Sequence, residues 1–407
     1  MSPAPPASPL PVPVGPIDGE VLSSWYVRLA HAHGEKLNSF GRRLLGRGRQ
    51  VSNTDIDRAQ WQELLYLLSV RTGVSLERLR KMTLLVFEGF LWGDLPVRGP
   101  TRWILPIVCG KPLAGQGTLQ FCGACLATDR IPYFRVAWRL AFFVWCPVHR
   151  VLMQDRCHRC SAPVRIHQSD VWQLFIDFDS GLARCAVCGA DRRAFFGFDA
   201  VERDMAGIEL QGVLLRALEN GFASIGSDGV HSIPLFQGVA IVWSLLDDTR
   251  RSAGLWASLT EPAPDAAAPA RSRYGGFERQ DVSRRRQLLE ASAELMKEGT
   301  QSLTAHLRAA GLSSDDVWRF IRTQRVTAPY WLWRAVRDTV NRAMHTPTSE
   351  EIGQAIRHVA MHAAPNPPSM LGVCQLLGLK NRYNPRVASA MRTLGVLGSS
   401  GRKKCPG

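Results

Sequence analysis

Cys122-Gly123-Ala124-Cys125, Cys146-Pro147-Val148-His149, Cys157-His158-Arg159-Cys160 and Cys185-Ala186-Val187-Cys188 decide how this 407-residue chain is read. Each stretch is a two-residue loop that turns two soft ligands toward one point, as a metal knuckle requires. Two such pairs make a closed tetrahedral set, so the four pairs supply ligands for two zinc ions. If neighbouring pairs combine, one set is Cys122, Cys125, Cys146 and His149, and the other is Cys157, Cys160, Cys185 and Cys188. An interleaved cross-brace would use the same eight residues, and the spacing leaves both arrangements open. A full N/S ligand set leaves no open coordination position, so the expected role of zinc is structural. Its binding contributes on the order of 10 kcal/mol, enough to fold a module with a small core.

Other uses of these cysteines fit less well. A disulfide framework needs an oxidising compartment, and no apolar signal segment opens the sequence. A redox CxxC usually stands alone beside a βαβ pattern, which is missing here. The Cys146/His149 pair and the wide spacing favour zinc over an iron–sulfur cluster. Cys109, Cys374 and Cys405 are left over and read as free thiols in a reducing compartment. No apolar run approaches the roughly eighteen residues needed to span a bilayer, so the expectation is a soluble, cytoplasmic protein with no membrane partner.

Outward from the knuckles, the pattern predicts a mainly α multidomain protein with a central zinc-ribbon-type α+β module and helix–turn–helix regions. Residues 1–16 hold seven prolines and read as an extended arm. Residues 17–115 form a helical, helix–turn–helix-like domain. Its helices are expected at Val21–Ala32 (Leu22, Trp25 and Leu29 on one face), Asp57–Thr72 and Leu76–Leu85, with a corner at Gly73-Val74-Ser75. Residues 116–200 are the double zinc module, made of short strands and loops. A helical segment, 201–259, is expected to carry helices Asp204–Asn220 and Val239–Asp248. A proline- and alanine-rich linker, 260–282, leads to a basic helical domain, 283–407.

Charge is uneven along the chain. Of the net +15, residues 271–407 carry +12, while 189–270 are acidic at −5. Concentrated positive charge is the footprint of nucleic-acid binding through counterion release, and a solvated arginine-rich helical surface gives the same count. Two segments in the basic third match a helix–turn–helix. Leu303–Arg322 turns at Gly311, with Ser313 or Ser314 as cap and Val317, Phe320 and Ile321 facing inward. Arg319 and Arg322 then face outward toward DNA, while Asp315 and Asp316 would repel a nearby phosphate. Leu371–Leu394 turns at Gly378-Leu379, starts its second helix at Asn384-Pro385 and turns Val387, Met391 and Leu394 inward. That leaves Lys380, Arg382, Arg386 and Arg392 exposed as further DNA candidates. Trp318, Trp331 and Trp333 could stack on bases, but at helical spacing they are better placed in a core.

No catalytic constellation emerges. Walker A, HExxH and GxSxG patterns are absent, and His33-Gly34-Glu35 lacks the nearby cysteine pair that a zinc deaminase needs. The expectation is a protein without enzymatic activity.

One further stretch, Pro16-Ile17-Asp18-Gly19-Glu20-Val21-Leu22-Ser23-Ser24-Trp25-Tyr26-Val27-Arg28-Leu29-Ala30, resembles the opening signature of the TniQ/TnsD transposition proteins. Arg71 to Leu79 is similar to that family's next helical corner. Phe121 to Cys125, Trp138-Arg139, Cys146 to His149 and Cys157 to Cys160 resemble its zinc core, in order. The resemblance covers roughly residues 10–200, and the basic third matches only in kind. His158-Arg159 departs from the small or proline residue common in the third knuckle, leaving both ligands intact. The resemblance implies a target-selection adaptor of a Tn7-like or mercury-resistance-type transposon, with two zinc ions. Its implied partners are DNA, an AAA+ transposition ATPase and, through the ATPase, a DDE transposase, with room for a separate targeting factor and for a homodimer. The arm and the surface around Trp25 and Arg28 are the candidate ATPase contact, the core being the competing place for Trp25. A stand-alone zinc-containing helix–turn–helix transcription regulator would share these features but bind a defined operator with no ATPase.

Overall fold

Helix Leu22–Ala32 is buried on almost every side, with Leu22, Trp25 and Leu29 inaccessible and Ser23, Ser24 and Glu20 beside them equally enclosed. The computed structural model of the chain describes residues 8–46, 50–59, 62–96, 101–107, 118–170, 182–201, 204–226, 228–248, 252–259, 276–323, 327–337, 347–363, 366–377, 379 and 383–396. Among these are fifteen α-helices, several 3₁₀ turns and one two-stranded antiparallel sheet, so the fold is mainly helical. No described helix is long and apolar enough to cross a membrane. The chain divides into two compact units, Met1–Gly212 with Ser272–Glu290, and Val213–Arg271 with Ala291–Gly407.

In the first unit, buried polar groups hold the first helix. Glu20 accepts from Arg28 Nε at 2.9 Å and Nη2 at 2.6 Å and from Ser24 Oγ at 2.8 Å, while Ser24 Oγ accepts from the Phe134 N–H at 2.9 Å. The described part of the proline-rich arm lies against this unit. The Leu10 N–H donates to the Arg71 carbonyl at 2.7 Å, and Trp25 Nε1 donates to the Val14 carbonyl at 2.9 Å.

Two expected helices are shorter than their hydrophobic periodicity suggested. The Asp57–Thr72 run is a 3₁₀ turn, Ile56–Arg58, followed by an α-helix, Gln62–Thr72. Ala59, at φ +52°, breaks the helical path between them and turns Asp57 inward. Leu76–Leu85 ends as an α-helix at Lys81 and resumes as a 3₁₀ turn, Leu84–Phe87, because the Thr83 side chain bonds the Arg80 carbonyl and the Leu85 N–H. The intervening corner forms as read. Gly73 adopts φ +73°, and Ser75 Oγ accepts from the Arg78 N–H at 3.1 Å as a helix cap.

Among the described residues of the cysteine-rich module, 118–170 and 182–201, strand pairing is through isolated bridges, among them Leu119 with Val164, Phe121 with Gln154 and Trp145 with Leu152. Residues of the same unit on two more distant helices brace the module. Gln211, on helix Met205–Asn220, accepts from the Val144 and Trp145 N–H groups and donates to the Trp145 carbonyl. From helix Val282–Leu295, Arg285 is fully buried, its guanidinium donating to Ala141 O at 2.6 Å, Gln120 Oε1 at 3.0 Å and Gln280 O at 3.1 Å. Arg286 pairs with Asp204 and Glu290. Part of the positive charge in the last third is therefore internal structure.

In the second unit, hairpin Phe222–Ile225/Asp228–His231 leads into helix Ser232–Leu246. That helix begins seven residues before the expected Val239, since Pro234 sits in its first turn, where a missing N–H costs nothing. Gly238 leaves room for the Trp331 indole, and a Cβ there would lie 2.0 Å from that ring. Farther along, helices Ser349–Ala363, Met370–Leu376 and Pro385–Thr393 enclose one core of Ile352, Ala355, Ile356, Val373, Cys374, Leu377, Val387 and Met391. Leu394, expected inward, is 50 % exposed because its helix ends at Thr393.

Candidate metal centres and nucleic-acid surface

Three of the four knuckles share one backbone design. Cys146, Cys157 and Cys185 each accept a hydrogen bond at their carbonyl from the residue four positions on, Arg150, Ser161 and Gly189, at 2.8–2.9 Å. Those three residues adopt φ values of +55°, +56° and +70°, the left-handed turn that closes each loop. Single antiparallel bridges then zip the flanks, Trp145 with Leu152, Arg156 with Pro163 and Arg184 with Asp191. Only Gly189 relieves the Cβ strain of this conformation, so Arg150 and Ser161 hold it at a cost that the assembled site must offset. Cys122 is different: it caps helix Gly123–Thr128, its Sγ accepting from the Cys125 N–H at 3.4 Å.

The ligand atoms gather sequentially. Cys122, Cys125, Cys146 and His149 form one group and Cys157, Cys160, Cys185 and Cys188 the other, with all donor atoms within 4.8 Å of one another in each. In the first, Cys125 Sγ lies 3.6 Å from Cys146 Sγ and 3.3 Å from His149 Nδ1, and Cys146 Sγ lies 3.6 Å from the same nitrogen. In the second, Cys157–Cys188 and Cys160–Cys185 are each 3.7 Å apart. A tetrahedral ion with metal–sulfur arms of about 2.3 Å demands S···S edges of about 3.8 Å, so both groups could hold a metal ion. Four sulfur and nitrogen donors this close, without a cation, would resist ionising together, and a divalent ion removes that conflict.

Polar and aromatic groups set the knuckles in place. Arg192 is buried, donates to the Leu182 carbonyl at 2.7 Å and lies over the Phe121 and Phe134 rings, its pKa lowered by burial. Arg139 links the module to the amino-terminal helices. Its guanidinium donates to both Asp55 oxygens at 3.0 and 2.7 Å, to Asp57 Oδ2 and to the Leu105 carbonyl. Asp57 in turn accepts from Ser23 N at 2.7 Å and Ser23 Oγ at 2.9 Å. Sequence reading noted Trp138-Arg139 only by resemblance and missed Asp55 and Asp57. A buried Arg partner more than eighty residues away leaves no periodic signal.

Gly123 occupies a position where packing opposes helix propensity. A Cβ there would sit 2.1 Å from Phe195 O and 2.8 Å from Arg192 O, both backbone atoms. Propensity favours Gly123→Ala by about 1 kcal/mol, whereas the forced backbone shift costs about 1–3 kcal/mol or more. The expected result is a lower denaturant midpoint; an equal or higher midpoint would show that segment 192–195 yields freely.

The DNA candidates lie on two helical corners. Helices Thr300–Ala309 and Ser314–Thr323 meet at Gly311, φ +67°, where the Leu312 N–H reaches back to Leu307 O at 3.0 Å. Ser313 and Asp316 bond reciprocally as a capping box, which gives Asp316 a structural use at the helix start. Arg319 and Arg322 are exposed, while Val317, Phe320 and Ile321 are buried. Trp318, Trp331 and Trp333 are buried too, which removes them as base-stacking platforms. On the second corner, Asn384 Oδ1 caps Pro385–Thr393 by accepting from Arg386 N and Val387 N, and Arg386 and Arg392 are exposed. Lys380 and Arg382 lie outside the described residues. Of the candidate ATPase surface, Trp25 is 0 % exposed and takes its competing place in the core, and Arg28 is bound to Glu20 and the Gly15 carbonyl.

Residues 11–153 match the family model of TniQ. No curated protein matches the chain.

Proposed function

We propose, on the premise that residues 11–153 are a TniQ domain and hence associate the chain with Tn7-like transposition, that it is a target-selection adaptor. It binds target DNA, or a partner already on it, and recruits an AAA+ ATPase that brings a DDE transposase. The TniQ match is the observation that carries this reading. Two zinc ions hold the module rigid: the N/S donor sets suit zinc, and closed cages favour scaffolding over chemistry. The adaptor performs no bond-breaking step of its own and acts in the cytoplasm, where its thiolates stay reduced. Arg319, Arg322, Arg386 and Arg392, exposed on their capped helices, neutralise backbone phosphates, joined by Lys380 and Arg382.

Two measurements test the reading. Replacing Arg386 and Arg392 by glutamine should flatten the salt dependence of DNA affinity by about one unit of slope for each phosphate no longer neutralised. An unchanged slope removes this helix from the DNA surface. Incubating metal-loaded protein with DNA and the ATPase should yield a ternary complex that neither protein forms alone on DNA. Tight binding to one operator with no ATPase retained would instead favour a transcription regulator.

A further inference from the structure

Three helices of the second unit surround an open cleft of about 410 Å³. Arg334 and Arg337 come from helix Tyr330–Arg337, His358 and His362 from Ser349–Ala363, and Gln375 from Met370–Leu376. Among the described residues the rest of its lining is aliphatic or glycine, with no carboxylate. Every described ionisable group that lines this space is therefore basic. The Arg337 fork is preset, with Nη1 donating to the Gln375 carbonyl at 2.5 Å and the guanidinium above the Trp333 ring. His358 stacks on Tyr330 at 3.7 Å and meets His362 edge-on at 4.2 Å, and its buried Nδ1 has no hydrogen-bond partner. Burial, then the positive fields of His362, Arg334 and His231, hold His358 down to about 4, so the cleft repels a further proton. An anion would relieve that repulsion.

We propose that this cleft seats a backbone phosphate of nucleic acid between Arg334, Arg337 and His362, forming a DNA contact separate from the two helical corners. The proposal rests on the DNA-binding reading above. Arginine forks match phosphate oxygens in pairs, and an open groove admits a continuous strand where a closed pocket would not. A free nucleotide fits less well, because the lining offers, among the described residues, no carboxylate for an accompanying magnesium ion.

The test uses the full, metal-loaded chain and a fluorescein-labelled random-sequence duplex, with anisotropy read across a salt series. His362 is exposed, so His362→Glu sets a negative charge at the cleft without opening a core. Arg334→Gln removes one cation, and Arg334→Lys restores the charge but not the fork. Circular dichroism checks that each variant is folded, and His362→Gln replaces any that is not. The expected result is a salt slope lower by about one for Arg334→Gln and for His362→Glu, with Arg334→Lys close to the parent. Slopes equal to the parent's would overturn the cleft while leaving DNA binding itself intact. A parent chain that does not bind the duplex at all would instead remove the DNA reading and, with it, this assignment. Calorimetric binding of inorganic phosphate that the variants lose, with unchanged DNA slopes, would reassign the cleft to a free anion and overturn the nucleic-acid source.

Discussion

Replacing Cys146 by alanine should release one of two metal ions per chain and unfold the part of the module around that group, residues 118–153. Cys146 shares its group with Cys122, Cys125 and His149. Binding at a closed zinc site is worth on the order of 10 kcal/mol, comparable to the whole stability of a typical domain at about 5–15 kcal/mol. The module has little to substitute for it, since pairing among its described residues is confined to single bridges and two of its loops rest on left-handed non-glycine residues, Arg150 and Ser161. Metal per chain, read by elemental analysis, should fall from two to one, with amide exchange across 118–153 accelerating. Cys374→Ala is the control: that thiol is buried in the three-helix core and belongs to neither group, and both ions should stay. The sequential grouping makes a sharper forecast. Cys122→Ala with Cys146→Ala should cost one ion, whereas an interleaved cross-brace would lose both. A fully folded Cys146→Ala chain with two ions bound would refute the structural-metal reading.

Arg139→Ala should be the most damaging change outside the metal groups, at about 3–5 kcal/mol, because it strands a buried carboxylate. Asp57 is wholly enclosed, and without Arg139 only Ser23, among the described residues, would still bond it. Burial pushes the Asp57 carboxyl up to about 6, against the pull of Arg139. Arg139 itself loses charge stability through burial but regains more from Asp55 and Asp57, so its pKa rises. The sign follows from linkage. Between the unfolded value near 4 and the folded value, the native state holds the extra proton, so stability from this group falls as pH rises across that window and is flat above it. Removing Arg139 lifts the folded value further and extends the falling window toward neutral pH. Arg139→Ala should therefore lose more stability, relative to the parent, at pH 8 than at pH 5. A uniform loss at both pH values would show that removing Arg139 leaves the folded pKa of Asp57 where it was, as a replacement partner would. Arg139→Met with Asp57→Asn should recover much of the loss, since no buried charge is then left alone.

The eight metal-group residues were legible in the sequence because a knuckle is a local device. Two residues of spacing and a closing turn are enough to aim both ligands, whatever the rest of the chain does. The helix–turn–helix corners were legible for a similar reason: Gly73, Gly311, Ser75, Ser313 and Asn384 act within four residues of themselves. Helix ends were less so. Pro234 inside a first turn and Ala59 in the left-handed region each shifted a boundary, because an apolar stripe records which face is buried and says nothing of where the backbone stops being helical.

What the chain alone determined, then, was the kind of module it builds: two sets of soft ligands, a basic last third and capped helical corners. The tertiary structure decided which knuckles share a site, since spacing allows two pairings and only the folded backbone brings four donors within 4.8 Å. It also decided the fate of charge. Arg285 and Arg139 count the same as Arg319 and Arg386 in the composition, yet the first two are buried among carbonyls and carboxylates and the last two are in solvent. Burial depends on partners that can lie more than a hundred residues away, as Gln120 lies from Arg285, and no local pattern encodes such a distance.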